Sequence, residues 1–233
     1  MASFIQINLN GFRTHKTQLQ VYLDDTKPDF VLLNETRVKS THKITINGYK
    51  TAARQDRETR GGGGTAILMK NNLKSNIKDI SIKLDYGGET SAIELEIASK
   101  KVALVTYYCP DNINLNPEEF THYLDKYKDC IFMGDYNASH LFFGSEKTDP
   151  NGEHMFTIME TYDLAYLNDP NEPTHHVVKN GYTNLLDYAF CSANMKIGKA
   201  RCYVGESVGS DHLPVHLSLN QKNKIMIHPP KKR

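Results

Sequence analysis

Short apolar or alternating runs rich in Ile, Val, Leu and Tyr recur along the chain at 4–8, 30–33, 65–69, 92–97, 102–108, 131–133, 186–190 and 213–219. Their length and β-branched content predict strands. Between some of them, 16–23, 117–127 and 153–162 read as helices, the second with Asn116 as N-cap ahead of Pro117 and Glu118. Many short strands interleaved with helices point to an α/β sandwich. No internal repeat and no linker divides the chain, although the pattern breaks at 60–64 and again after 220. The expected organisation is one domain over 1–220 followed by a tail over 221–233.

Composition narrows the picture by exclusion. The 233 residues carry 28 Lys and Arg against 27 Asp and Glu, a formal charge of +1, which describes neither a polycation nor a disordered acidic chain. Any contact with nucleic acid must then use a local patch. The four cysteines, Cys109, Cys130, Cys191 and Cys202, are widely spaced without a C-x-x-C pair, so neither a zinc site nor a disulfide framework is expected. The opening residues run straight into a strand without the pattern of a secretory signal, and no stretch approaches membrane-spanning length. Reducing surroundings in cytosol or nucleus, with no membrane partner, are expected. The tail, with Lys222, Lys224, Lys231, Lys232 and Arg233 interrupted by Pro229 and Pro230, reads as disordered. It is either a linker stub or a nuclear-address or DNA-tethering segment.

Polar residues gather where the strands end: Asn8 and Asn10, Asn34 and Glu35, Tyr108, Asp135 and Asn137, Asp187, then Ser210, Asp211 and His212. Strand ends in such folds present side chains at one rim, so these residues are expected to share a cleft. Each type has a use in phosphodiester hydrolysis, which needs charge neutralisation, an activated water and a stabilised leaving oxygen. Glu35 and Asp211 are hard oxygen donors suited to Mg2+. Asp135 and Asn137, two apart in what reads as an extended segment, are expected to face the same side. His212 can donate to phosphate if a carboxylate holds its other ring nitrogen, and Asp187 is the best candidate. The glycines at 61–64, near Arg54, Arg57 and Arg60, either bring backbone amides to a phosphate or mark a hairpin loop.

The order of these motifs resembles the endonuclease/exonuclease/phosphatase superfamily. The matching stretches are Asn8-Leu9-Asn10-Gly11, Asn34-Glu35-Thr36, Gly134-Asp135-Tyr136-Asn137, Leu186-Asp187-Tyr188 and Gly209-Ser210-Asp211-His212, so the likeness covers essentially 3–219. The resemblance implies a four-layered fold, two mixed sheets face to face with helices outside. It implies Glu35 as principal ligand of Mg2+, with Mn2+ as substitute, and Asn8, Asn10 and Asp211 completing or supporting that site. Asp135 would orient or activate water, Asn137 would bind phosphate, and His212 paired with Asp187 would contact the scissile phosphate. Tyr108, Thr174 and Ser210 match positions that hold phosphate oxygens.

Within the superfamily, 134–145 followed by Asp149-Pro150-Asn151-Gly152 resembles apurinic-like endonucleases of non-LTR retrotransposons, particularly jockey-like elements. Phe143 stands where those relatives usually carry Trp, and an indole donor is lost. Asn180-Gly181 is a tight-hairpin signal, and the likeness makes Lys179, Asn180 and Tyr182 candidate DNA contacts, as Arg60 is beside the glycines. The implied function is metal-dependent nicking of double-stranded DNA that leaves a 3′-hydroxyl to prime reverse transcription, with a reverse transcriptase domain in the same polyprotein and action in the nucleus. Abasic-site repair is the alternative, disfavoured by the absence of Trp and of an obvious apolar pocket. A lipid or inositol phosphoesterase and an inactive DNA-binding module remain further alternatives.

Overall fold

A computed structural model describes residues 2–57, 62–73, 76–84, 87–97, 99–177, 182–193, 195 and 200–219. In chain order the strands are β1 (Ala2–Asn8), β2 (Phe30–Asn34), β3 (Tyr49–Gln55), β4 (Thr65–Lys70), β5 (Lys78–Asp79), β6 (Glu89–Ile97) and β7 (Lys100–Tyr108). They continue with β8 (Asp129–Asp135), β9 (Leu164–Tyr166), β10 (His175–Val177), β11 (Tyr182–Asn184), β12 (Asp187–Ser192), β13 (Ala200–Val204) and β14 (Val215–Leu219). The helices are α1 (Phe12–Thr26), α2 (Glu118–Leu124) and α3 (Pro150–Thr161).

Two six-stranded sheets result, ordered β13-β14-β1-β2-β4-β3 and β5-β6-β7-β8-β12-β9, each mixing parallel and antiparallel pairs. Alternation along each strand sends one set of side chains inward and the other outward. Phe4, Leu32 and Ile67 of the first sheet meet Ile93, Leu104, Ile131 and Ala189 of the second in one buried core. The opposite face of the first sheet, with Ile5, Ile7, Val31 and Leu33, is covered by Leu19 and Leu23 of α1. That of the second, with Val105, Phe132 and Phe190, is covered by Phe120 and Tyr123 of α2 and Met155 and Ile158 of α3. The layers are therefore helix, sheet, sheet, helices, the α/β sandwich expected from the alternation of elements.

Differences from the sequence reading lie at the edges. Strand β3, with the sequence YKTAARQ, has no apolar run because it closes the edge of its sheet and buries only Ala53. Edge strand β13 was equally silent, and so were the short β5 and β9. Helix α1 starts at Phe12, four residues before the predicted 16, and α3 starts at Pro150, because Asp149 accepts the Gly152 amide at 2.8 Å and proline occupies the first turn. Asn116 accepts the Glu118 amide at 3.0 Å, but Pro117 and not Asn116 stands at the N-cap, because α2 begins at Glu118, and the helix ends at Leu124 instead of 127. The tail over 221–233 lies outside the described residues. Among the described residues no helix is long and apolar enough to cross a membrane.

Candidate active site

The inner faces of both sheets turn from apolar to polar toward one rim, and register decides which polar groups meet there. In β1 the inward positions run Phe4, Gln6, Asn8; in β2, Phe30, Leu32, Asn34, with Asn8 paired to Asn34. In the second sheet Tyr108, Asp135 and Asp187 stand side by side on β7, β8 and β12. Glu35 follows β2 directly, and Ser210, Asp211 and His212 precede β14. Residues as far apart as 8 and 212 thus line one rim.

Asn8 is fully buried and joins the two sheets there, its Nδ2 donating to Asp135 Oδ2 at 2.8 Å and to Glu35 Oε1 at 3.1 Å. Tyr108 donates its hydroxyl to the same Glu35 Oε1 at 2.9 Å, and Arg37 donates Nε–H and Nη2–H to Oε2 at 3.0 and 2.6 Å. Burial alone would raise the Glu35 carboxyl, but the bonds from Arg37, Asn8 and Tyr108 outweigh it and hold the group below its ordinary value, hence ionised. Burial and the Glu35 charge together keep the Tyr108 phenol protonated, so it remains a donor.

His212 Nδ1 lies 2.7 Å from Asp187 Oδ2 and its Nε2 lies 3.8 Å from Asp135 Oδ2. Burial would lower the imidazole, yet the Asp187 and Asp135 charges outweigh it and raise the ring to about 10. Burial and the neighbouring Asp187 push the Asp135 carboxyl upward, opposed by His212 and by Asn8. The ring is therefore held protonated between two buried carboxylates. Asp211, more open, is kept below its ordinary value because His212 and the Asn10 amide outweigh partial burial. Asn10 Nδ2 is 3.3 Å from both Asp211 oxygens.

The backbone is forced at this rim. Asn10, Glu35, Arg37 and Asn137 have φ of 46°, 47°, 50° and 42°, in the left-handed region that costs non-glycine residues about 1 kcal/mol or more each. Glu35 and Arg37 hold it because the Thr36 and Arg37 amides donate to the carbonyls of Gly64 and Gly63, at 3.0 and 2.8 Å. A Cβ on Gly64 would stand 2.6 Å from Thr36 Oγ1, so only glycine lets the segment after β2 lie this close. The Gly64 amide is already donated to Glu89, which also pairs with Arg57. Of the two sequence readings of the glycine run, the hairpin loop is the one that fits, since Gly63 and Gly64 lead into β4, which pairs antiparallel with β3, and the Gly64 amide is not free for a phosphate; the two carbonyls back the Glu35 turn instead. Arg60 and Gly61 lie outside the described residues.

Three further expectations change. Asn137 is not extended beside Asp135: β8 ends at Asp135, and the left-handed Asn137 donates its amide N–H to Asp135 Oδ1 and its side chain to the Cys109 carbonyl. Thr174 is fully buried, so it does not reach a phosphate; its Oγ1 accepts the amides of Leu186 and Asp187 at 3.1 and 3.0 Å and so fixes the start of β12. Ser210 spends its hydroxyl on the Asn8 carbonyl at 2.8 Å, which ties the Ser210-Asp211-His212 turn to the end of β1. Strands β10 and β11 form an antiparallel ribbon, His175 to Asn184, beside this turn. Lys179 and Asn180 and the side chain of Tyr182 lie outside the described residues.

Sequence reasoning missed Gln6, Arg37 and His175. His175 packs its ring 4.6 Å from that of His212, with Nε2 3.9 Å from Asp211 Oδ2. Gln6 is fully buried, and its Nε2 donates to Asp187 Oδ1 at 2.8 Å and Asn34 Oδ1 at 2.9 Å, so both Asp187 oxygens are engaged. The available signal was a lone amide inside an isoleucine-rich strand. Gln6→Leu is expected to lower turnover of the domain about 10–100-fold with KM little changed, since groups that orient an active carboxylate act on rate. Equal kcat in the variant and wild type would show that Thr174 and His212 suffice to hold Asp187.

These groups open onto a cleft of about 730 Å3 lined by Asn10, Glu35, Asp135, Asn137, Asp211 and His212 among others. Among the described residues, Asp135, Asp187 and His212 offer ligand atoms within 4.8 Å of one another. That set is buried and already closed by the bond between Asp187 and the ring. Glu35, Asp211 and the amide oxygen of Asn10 instead bring hard oxygen donors to a wet cleft, which fits a hard divalent cation that keeps several waters.

Residues 102–216 match the family described as endonuclease-reverse transcriptase. That stretch carries Tyr108, Asp135, Asp187 and His212, the groups that the sheet registers bring together. Over that stretch the chain is similar to the endonuclease domains of non-LTR retrotransposon polyproteins, the resemblance that the order of its motifs carries. Two relatives from Drosophila melanogaster agree with the placement. The probable RNA-directed DNA polymerase from transposon X-element is 24% identical over 221 residues, 91% of this chain and 23% of that protein. The RNA-directed DNA polymerase from mobile element jockey is 23% identical over 211 residues, 89% and 22%. The chain thus spans less than a quarter of either relative. The endonuclease domain of TRAS1, a telomere-specific non-LTR retrotransposon, shares the fold with a TM-score of 0.72, 19% identity and coverage of 95% of this chain and 99% of that one.

Proposed function

We propose that this endonuclease domain nicks double-stranded DNA by Mg2+-dependent hydrolysis of one phosphodiester, with Mn2+ able to substitute, and leaves a 3′-hydroxyl. The observation that carries the reading is the Asp187–His212–Asp135 chain, joined through Asn8 to Glu35 at one rim. Glu35, Asn10 and Asp211 would hold the cation, which when bound would offset the negative charge that develops on the phosphate.

His212, kept protonated by its two carboxylates, is positioned to donate from Nε2 to a phosphate oxygen and to stabilise that same charge. Asp135, whose proton affinity burial raises, is positioned to take a proton from the attacking water. The new O–P bond forms as the bond from phosphorus to the 3′-oxygen breaks, and that oxygen is protonated from the cleft. Asp187 neither attacks nor accepts; it fixes the ring through Nδ1. Asn137 lines the cleft on the side of the second sheet, where it would meet the phosphate. Arg60, Lys179, Asn180 and Tyr182 are proposed as contacts to flanking DNA.

Because the relatives are RNA-directed DNA polymerases, the 3′-hydroxyl would prime reverse transcription by a domain of the same polyprotein, at a chromosomal target in the nucleus. The test compares intact supercoiled plasmid, a duplex with one abasic site, and soluble phosphoesters, and then asks whether a polymerase extends the nicks without prior phosphatase treatment. Nicking of intact plasmid with directly extendable ends is expected. Cleavage confined to the abasic duplex would replace this reading with repair, and faster release from soluble esters would replace it with phosphoester turnover.

A further inference from the structure

Glu35 is saturated. A carboxylate offers about four acceptor positions, and all are used: Oε1 by Asn8 and Tyr108, Oε2 by Nε–H and Nη2–H of Arg37. A cation binding this carboxylate must displace a donor, and the donors differ in what they lose. Asn8 is 0% exposed and Tyr108 6%, so releasing either strands a buried polar group. The Arg37 side chain is 46% exposed, against 15% for Glu35, and water can take over its bonds.

Arg37 also has somewhere to go. It lines the same cleft as His212 and Asp211, its Cδ close to the turn at Gly11, while its backbone is pinned by the Gly63 carbonyl. The pinned backbone and a long stem allow the guanidinium to move without moving the loop. A planar fork of donors that leaves a carboxylate oxygen is suited to a phosphate oxygen.

We propose that Arg37 is a charge-exchange residue: its guanidinium holds Glu35 Oε2 until a divalent cation takes that oxygen, and then turns to a DNA phosphate in the cleft. Metal and DNA then assist each other, because each removes what opposes the other, and the assistance is reciprocal. The inference rests on the proposed function in placing the cation at Glu35.

Mn2+ binding, followed by the loss of its free-ion paramagnetic resonance signal, tests this without reference to cleavage. The proteins are wild type, Arg37→Ala, Arg37→Gln, Arg37→Lys and Glu35→Ala, each confirmed folded by circular dichroism. Arg37→Ala and Arg37→Gln are expected to bind Mn2+ about 5-fold more tightly than wild type, the scale of a half-exposed ion pair. Arg37→Lys, a point charge with one bond to give, is expected to fall between. In a His212→Ala background, so that the DNA stays uncut, a short duplex is expected to tighten Mn2+ binding with Arg37 present and to do so less with Ala at that position. Unchanged or weaker Mn2+ binding by Arg37→Ala and Arg37→Gln, with Glu35→Ala lacking the site, would overturn the exchange and leave the metal placement standing. Full binding by Glu35→Ala would overturn both.

Discussion

Asp187→Asn is expected to slow plasmid nicking about 10²- to 10⁴-fold, the range associated with a positioned acid or base. The substitution keeps size and removes charge. Asp187 Oδ2 takes the Nδ1 side of His212 while Oδ1 takes the Gln6 amide, so a side-chain amide must offer its NH2 to one of two donors. The ring loses both its orientation and the anion that contributes most to its proton affinity. The proposed mechanism needs the ring protonated and Asp135 deprotonated, so the rate should climb with pH as Asp135 ionises, above the ordinary carboxylate range, and decline as His212 loses its proton at about 10. Removing the anion lowers the ring, so the declining limb should move to lower pH in the variant. The same linkage bears on stability. A ring raised in the folded state contributes stability that is complete below its ordinary value of 6.5 and lost as pH rises through about 10, and Asp187→Asn should flatten that alkaline decline in melting temperature. Rate–pH profiles of both proteins check the effect; a variant with the wild-type declining limb would mean that another residue titrates there.

Gly134→Ala is expected to cost both stability and activity, although it adds only a methyl group. Gly134 sits in β8 between Tyr107 of β7 and Tyr188 of β12, and a Cβ there would stand 2.0 Å from the Tyr107 carbonyl oxygen. The obstacle is backbone, which has no rotamer to escape into, so the two parallel strands must part. Overpacking of this kind typically costs about 1–3 kcal/mol. For a domain near this size that corresponds to roughly 2–4 °C of melting temperature per kcal/mol. The adjacent residues are Asp135 and, across the ladder, Tyr108, so the same wedge moves the Asp135 carboxyl away from Glu35 and His212. Calorimetry and plasmid nicking should fall together. A normal melting temperature with normal nicking would show that β7 and β8 separate without cost.

The motif glycine before Asp135 illustrates what a sequence reveals without its reason. Strands such as β1, β7 and β8 were legible because their apolar alternation survives to the core, and Asn8, Asp135 and Asp187 stood out as polar endings to apolar runs. The pairing of Asp187 with His212 was reachable from chemical need. What was illegible depends on register and on backbone conformation, which a linear pattern does not encode. Gln6 looks like an ordinary polar residue until β1 is seen to point it inward at Asp187. Asn137 looked extended because its neighbours are, yet its φ of 42° turns it out of β8. Thr174 has the right chemistry for phosphate but is placed behind Asp187 instead of in front of it. Arg37 is two residues from Glu35 and was invisible as a partner because side chains at that spacing in a regular strand lie far apart along one face; here left-handed turns at both residues fold them together. Edge strand β3 escaped because an edge needs few apolar residues.

The central claim is that one rim, built from Asn8 to His212, hydrolyses DNA with the help of a divalent cation. Conversion of supercoiled plasmid to nicked circles, with and without Mg2+, by wild type, Glu35→Ala and His212→Ala purified in parallel, tests it most directly. Wild type should nick only with the cation present, and each variant should fall by about 10² or more. Equal, cation-independent nicking by all three proteins would contradict the claim.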